Sequence, residues 1–320
     1  YGHGLAWVAR TLADADAFAV ASAEEGLRLR AAGVPQPITL LEGFFAADEL
    51  AVLQSEILSP VIHSDHQLRL LETHAAQAPA SVWVKLDTGM HRVGFAPDRL
   101  PDVLARLRKL NAIREIRVLT HFANADDVTD SATRTQIESF GSSVNGLGLE
   151  TSLANSAGIV AWPDSHADWV RPGIMLYGAS PLLGKSAHEL DLKPVMTLES
   201  ALIAVHPRRQ GEAVGYGGDF VCPEDMPVGV VAIGYGDGYP RHAPAGTPVL
   251  VNGSRVPLIG RVSMDMITLD LRRQPAARVG DPVVLWGEGL PVDEVAAHAG
   301  TISYELLCQV TERIPRVVTK

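Results

Sequence analysis

Hydrophobic and polar positions change their rhythm once along this chain, near residue 194. Ahead of that point, short apolar runs alternate with longer stretches whose apolar positions recur at helical spacing. The runs at 17–22, 38–44, 61–64, 82–87, 118–123, 150–155 and 170–177 predict strands. Between them, 24–32, 48–58, 65–78, 98–111 and 133–144 predict helices, several with an Asp or Thr near the start. Regular β-α alternation implies parallel strands joined by right-handed crossovers. Seven strands fall one short of the eight in a (β/α)8 barrel. Tyr1-Gly2-His3-Gly4 reads as the loop that follows a strand, with 5–12 starting the first barrel helix. The expectation is therefore an α/β chain: a (β/α)8 barrel over 1–193 whose first strand precedes residue 1.

Past 194 the helical spacing fades. Short β-rich runs at 196–205, 229–233, 248–251, 256–262, 266–269 and 281–285 stand between Gly/Pro turns and predict a mainly antiparallel β domain over 194–320. One helix, 292–299, interrupts it, and 304–311 is a further helical candidate.

Composition narrows the function classes. The 320 residues are 47% hydrophobic and 20% charged, enough to bury one large core and a second, smaller one. A net charge of -10 without a Lys/Arg cluster argues against a nucleic-acid partner. The two cysteines, Cys222 and Cys308, suggest a reducing compartment rather than a disulfide framework. No apolar run approaches the length of a membrane span. A cytoplasmic location and no metal are the expectations.

Candidate chemistry sits where a barrel puts it, at the C-terminal strand ends. Lys85 and Asp87 close one predicted strand, with Arg92 just beyond; His121 ends the next. Asn155-Ser156 ends the penultimate strand and Arg171-Pro172-Gly173-Ile174 occupies the last. Singly, each has a structural explanation: a satisfied His, a turn, a helix cap. Together, on successive strands, they read as a site. Ser156 and the Gly173 and Ile174 amides suit a phosphate, which alone names no cofactor. In the second domain, Tyr216 and Tyr235 are bracketed by glycines. Alone, each reads first as a turn with a packing aromatic; the glycines equally let a phenol approach a ligand for proton transfer.

These stretches, in order, match a family. KLDTGMHRVG at 85–94, THFANAD at 120–126, Asn155-Ser156-Ala157, RPGIMLYG at 171–178, Gly215-Tyr216-Gly217, IGYGDGYP at 233–240, GRVSMD at 260–265 and ISYE at 302–305 accompany Tyr1–Gly4. From Tyr1 nearly to its end the chain resembles bacterial alanine racemase of the proteobacterial type. The resemblance implies a pyridoxal 5'-phosphate (PLP) enzyme, a head-to-tail homodimer with shared active sites, acting on alanine. It places the PLP lysine just ahead of Tyr1, so the expectation is that activity needs a segment outside these 320 residues. Tyr1, Ser156, Gly173, Ile174 and Tyr304 would hold the phosphate, and Arg171 would face the pyridine nitrogen. Tyr216 of the other subunit and the lysine would serve as the two bases, with His121 linking Tyr216 to Arg171. Arg92 and the Met264 amide would bind the substrate carboxylate, Tyr235 and Tyr304 would narrow the entrance, and Lys85 matches a position open to carbamylation. The implied role is D-alanine supply for peptidoglycan, or alanine catabolism. Alternatives are a racemase of broader specificity, or a non-catalytic PLP- or phosphate-binding protein that begins near Tyr1. A decarboxylase is disfavoured by Arg171, because such barrels usually set a carboxylate at the pyridine nitrogen.

Overall fold

The computed structural model describes residues 1–319, which form two compact units. One comprises Gly4–Gly173 with Pro181–Leu183; the other comprises Tyr1–His3, Ile174–Ser180 and the chain from Gly184 onward.

The first unit is a parallel sheet with helices between its strands. Its strands are β1 (Phe18–Val20), β2 (Ile38–Leu40), β3 (Leu58–Ile62), β4 (Ser81–Lys85), β5 (Glu115–Leu119) and β6 (Thr151–Ser152), in spatial order β1 to β6. Each strand pairs with its sequence neighbour, as in Phe18 with Ile38, Val61 with Trp83, and Val84 with Val118. This is the arrangement of a (β/α)8-type barrel. All five residues of β3 are buried, as expected where both faces of a parallel sheet are covered. The strand begins at Leu58 rather than 61 and runs through Pro60.

Seven helices accompany the sheet: α1 (Leu5–Thr11), α2 (Ala23–Ala31), α3 (Glu49–Ser55), α4 (Asp65–Thr73), α5 (Leu100–Leu107), α6 (Ala132–Val144) and α7 (Ser156–Ala161). Helix α5 shows why they form: Leu100, Val103, Leu104 and Leu107 are buried at i, i+3, i+4 and i+7. Helix α4 opens on Ser64, whose hydroxyl accepts the Gln67 N–H at 3.3 Å.

The strand expected over 170–177 does not form. It reduces to one parallel bridge between Ser152 and Trp169 and a hydrogen bond from the Arg171 N–H to the Ala154 carbonyl at 2.9 Å. Pro172 lacks the N–H a ladder needs, and Ile174–Tyr177 winds into a 3-10 turn. Arg171 therefore sits at the exact end of sheet pairing.

In the second unit, β7 (Leu198–Arg208), β10 (Met226–Val231), β11 (Pro248–Val251), β12 (Ser254–Ile259), β13 (Ile267–Asp270) and β14 (Pro282–Trp286) close into an antiparallel barrel. Closure comes from β7, eleven residues long, which pairs with β10 along one part and β14 along the other. Val249, Val251, Leu258, Leu269, Val283 and Leu285 fill the interior at 0% exposure. Helices α8 (Val292–Ala299) and α9 (Ser303–Gln309) follow the barrel, their buried faces joining its core. A ribbon of β8 (Ala213–Val214) and β9 (Phe220–Val221) carries Tyr216 at its tip. Among the described residues, no helix is long and apolar enough to cross a membrane.

Candidate active site

Strand ends of the first unit gather three cations. Lys85 is the last residue of β4 and is buried, with no carboxylate salt-bridged to it among the described residues. Burial first, and then the charges of Arg92 and Arg171, push its amine down to about 8 against a smaller opposite pull from Asp87. His121 stands two residues past β5. Burial, and then Arg171, Lys85 and Arg92, push its imidazole down to about 3. Its ring is neutral throughout the neutral range.

Among the described residues, Arg171 has no carboxylate partner. One Nη2 donates to the Thr120 carbonyl at 2.7 Å and the Leu153 carbonyl at 3.1 Å; Nη1 donates to the Ser152 hydroxyl. Ser152 in turn donates to the Trp169 carbonyl at 2.9 Å. Desolvation lowers the guanidinium to about 10, which leaves it charged near neutral pH. Its Nε–H and one Nη1–H have no partner among the described residues.

The loop carrying Arg92 is organised by Asp87. One carboxylate oxygen accepts the Gly89 and His91 N–H groups at 3.1 and 2.9 Å. Burial of Asp87 is overcome by these bonds, so its carboxyl lies below the usual range. At the loop base, Phe95 N–H meets the Lys85 carbonyl at 2.9 Å, and Asp87 N–H meets the Phe95 carbonyl at 2.8 Å. Gly94 there has φ +132°, and a Cβ would lie 2.8 Å from the Asp87 nitrogen. Arg92 itself is exposed, without a hydrogen-bonding partner among the described residues.

Ser156 begins α7, capped by the Asn155 side chain, which accepts the Gly158 N–H at 2.9 Å. Its hydroxyl accepts the Gly173 N–H at 2.8 Å. Two of the five expected phosphate contacts, Ser156 and Gly173, are thus brought together.

The remaining candidates belong to the second unit. Tyr1 meets Tyr177 and Tyr304 edge-on, at centroid distances of 5.1 and 5.6 Å. His3 packs on Tyr177, and its Nδ1 lies 2.5 Å from the Tyr1 carbonyl. Tyr216 is 69% exposed, between Gly215 at φ +78° and Gly217 at φ +74°. Tyr235 and Met264 are joined in one loop pair: Tyr235 N–H donates to the Ser263 carbonyl at 3.0 Å, and Gly236 N–H to the Met264 carbonyl at 2.8 Å. Arg313 braces this pair through Asp237 and Asp265.

Four polar residues that hold the first-unit site escaped the sequence reading: Thr88, Thr120, Gln136 and Ser152. For Gln136 a signal existed. It lies on the buried stripe Thr133, Gln136, Phe140 of α6, where an apolar residue is the norm.

Two family models match the chain: the alanine racemase N-terminal domain over residues 1–181 and the C-terminal domain over 195–318. The chain belongs to the alanine racemase family. It is 54% identical to alanine racemase of Aeromonas hydrophila, over 98% of this chain and 88% of that one. It is 51% identical to the biosynthetic alanine racemase of Escherichia coli, over 98% and 88%. Among alanine racemase structures, the biosynthetic one from Pseudomonas aeruginosa aligns with a TM-score of 0.97 at 49% identity, covering 100% of this chain and 90% of that one. The alanine racemase from Acinetobacter baumannii aligns at 0.91 and 42%, covering 98% and 88%.

Proposed function

We propose that the protein interconverts L- and D-alanine, as a PLP-dependent isomerase. The observation that carries the reading is the cluster of Lys85, Arg92 and Arg171 around a neutral His121, with Asp87 as the carboxylate that acts on Lys85. Such an excess of positive charge calls for anionic ligands, which an amino-acid carboxylate and a phosphate-bearing cofactor supply.

The donor set fits PLP. Ser156, the Gly173 and Ile174 amides, Tyr1 and Tyr304 would hold its phosphate, and Arg171 its pyridine nitrogen. When bound, the cofactor supplies a sink for the electron pair left at Cα when the proton departs. Arg171 would limit that sink, because a guanidinium anchored only by neutral oxygens stays charged and keeps its protons. Return of the proton to Cα is then favoured over its delivery elsewhere, as racemisation requires.

Proton transfer needs a base on each face of Cα–H. Tyr216, contributed by a second copy in a homodimer, takes one face; its 69% exposure suits a residue that works against another chain. The lysine ahead of Tyr1 takes the other. Neutral His121 offers one ring nitrogen to accept from Arg171 and the other to donate to the Tyr216 oxygen, favouring the phenolate. Arg92 and the Met264 amide orient the substrate carboxylate. Tyr235 and Tyr304 limit side-chain size. Lys85 would be open to carbamylation, and the added carboxylate would position Arg92. A cytoplasmic place and a role in D-alanine supply or alanine catabolism complete the proposal.

The test is direct. Protein that carries the upstream lysine, loaded with PLP, should convert either enantiomer of alanine to the racemate, followed by loss of optical rotation. Tyr216→Phe should abolish this while leaving PLP bound. Loaded protein that leaves L-alanine unchanged would refute the proposal.

A further inference from the structure

Gln136 lies on none of the strand ends, yet its side chain reaches two of the loops that carry the site. It projects from the buried face of α6 and is 3% exposed. Its Oε1 accepts the Ala123 N–H at 2.9 Å, while Nε2 donates to the His121 carbonyl at 3.1 Å and to the Thr88 hydroxyl at 3.2 Å. Both amide hydrogens are therefore used, and the orientation is determined: turned over, the NH2 group would face the Ala123 N–H. The amide grips residues 121 and 123 as a neighbouring strand would, beyond the point where β5 loses its pairing with β6.

The third bond extends the grip to the other loop. The Thr88 hydroxyl donates to the Thr120 hydroxyl at 2.8 Å, and Thr120 donates to the Leu86 carbonyl at 3.0 Å. The Thr120 carbonyl is itself the acceptor for Arg171 at 2.7 Å. One directional chain thus joins α6, the loop bearing Arg92 and the end of β5, and Thr120, a member of it, separately anchors Arg171 through its carbonyl. Gly89 lets the helix approach, since a Cβ there would sit 3.2 Å from the Gln136 Cγ.

We propose that Gln136 is a positioning residue for the reaction, clamping the backbone on both sides of Phe122 so that His121 and the Thr120 carbonyl stay in place. Its amide is taken up by Ala123, His121 and Thr88, so it acts through His121. The inference rests on the racemase reading for its kinetic consequence, and on the hydrogen bonds alone for its structural one.

The experiment compares the full-length, PLP-loaded parent with Gln136→Met, which preserves length and removes all three bonds. Exchange at the Ala123 amide, thermal midpoint, kcat and KM for alanine are measured together. The expected result is exchange at Ala123 faster by about tenfold or more, with core amides of α5 unchanged. With it, kcat falls about 10- to 100-fold and KM stays within about threefold, since a displaced strand end disturbs geometry rather than carboxylate binding. Unchanged exchange, unchanged kcat, or a loss confined to KM each overturns the proposal. Should Gln136→Met not fold, Thr88→Val decides: it removes one arm, and kcat should fall by about three- to tenfold at constant KM, an unchanged kcat overturning the proposal. A parent that does not racemise alanine defeats the functional reading instead, and Ala123 exchange then decides the clamp by itself.

Discussion

Protonating His121 in the folded protein is costly, and the cost has a pH signature. Its imidazole drops from an ordinary 6.5 to about 3 through burial and three neighbouring cations. A base with a depressed folded pKa contributes stability above its unfolded pKa and loses it as pH falls, because only the unfolded chain takes up the proton. The window runs from 6.5 down to about 3. Between pH 7 and pH 5 the loss is about 1.4 kcal/mol per pH unit once below 6.5, or roughly 2 kcal/mol in all. Lys85 adds nothing there, since its amine is protonated in both states below about 8. Surface carboxylates also titrate near pH 5, so the comparison must be differential. Urea unfolding of the parent and of His121→Asn is measured at both pH values, read by tryptophan fluorescence, to which four of the five tryptophans contribute from the same unit. The parent should lose about 2 kcal/mol more than the variant. Equal losses would mean that His121 titrates as an ordinary histidine, and the electrostatic account of the site would fail with it.

The other predictions concern neighbouring parts of the same framework. At pH 7 the fall of the Lys85 amine from 10.5 to about 8 enlarges its neutral, nucleophilic fraction about 300-fold. Carbon-13 bicarbonate should therefore give a carbamate resonance that Lys85→Ala lacks, and its absence from the parent would remove Lys85 from the mechanism. Gly94→Ala forces a Cβ against the Asp87 nitrogen at φ +132°; a stability loss of about 1–3 kcal/mol and a raised KM for alanine are expected as the Arg92 loop shifts. Ile57 holds φ +53° while 74% exposed. Ile57→Gly relieves about 1–2 kcal/mol of left-handed strain against a smaller entropic cost, so the unfolding temperature should rise by a few degrees while Ile57→Val leaves it unchanged.

Several features of the fold were legible along the chain because their causes are local. The helical spacing of Leu100, Val103, Leu104 and Leu107 lies within a few residues, as does the turn chemistry around 248–251, and both elements form where the pattern put them. Alternation of apolar runs with amphipathic stretches carried the parallel sheet for the same reason. The expected strand at 170–177 failed because Pro172 has no N–H to give a ladder, and pairing ends with the bond from the Arg171 N–H to the Ala154 carbonyl. Lys85, Arg92, His121 and Arg171 were recognisable as polar residues at strand ends. Their mutual influence was not, because it depends on how deeply each is buried.

By itself, the sequence determined most of the elements and which polar side chains stand at the strand ends, since period and turn residues act over one or two turns of chain. Only the tertiary structure decided what those side chains experience. The closed barrel needs β7 to meet both β10 and β14, a pairing no run of residues encodes alone. The depressed basicity of His121 comes from desolvation by the folded strands first and from Arg171, fifty residues on, second. Gln136 acquires its part only when α6 folds back over Thr88, 48 residues earlier. Desolvation, charge coupling and buried hydrogen bonds depend on distance in space, and a linear pattern does not contain that distance.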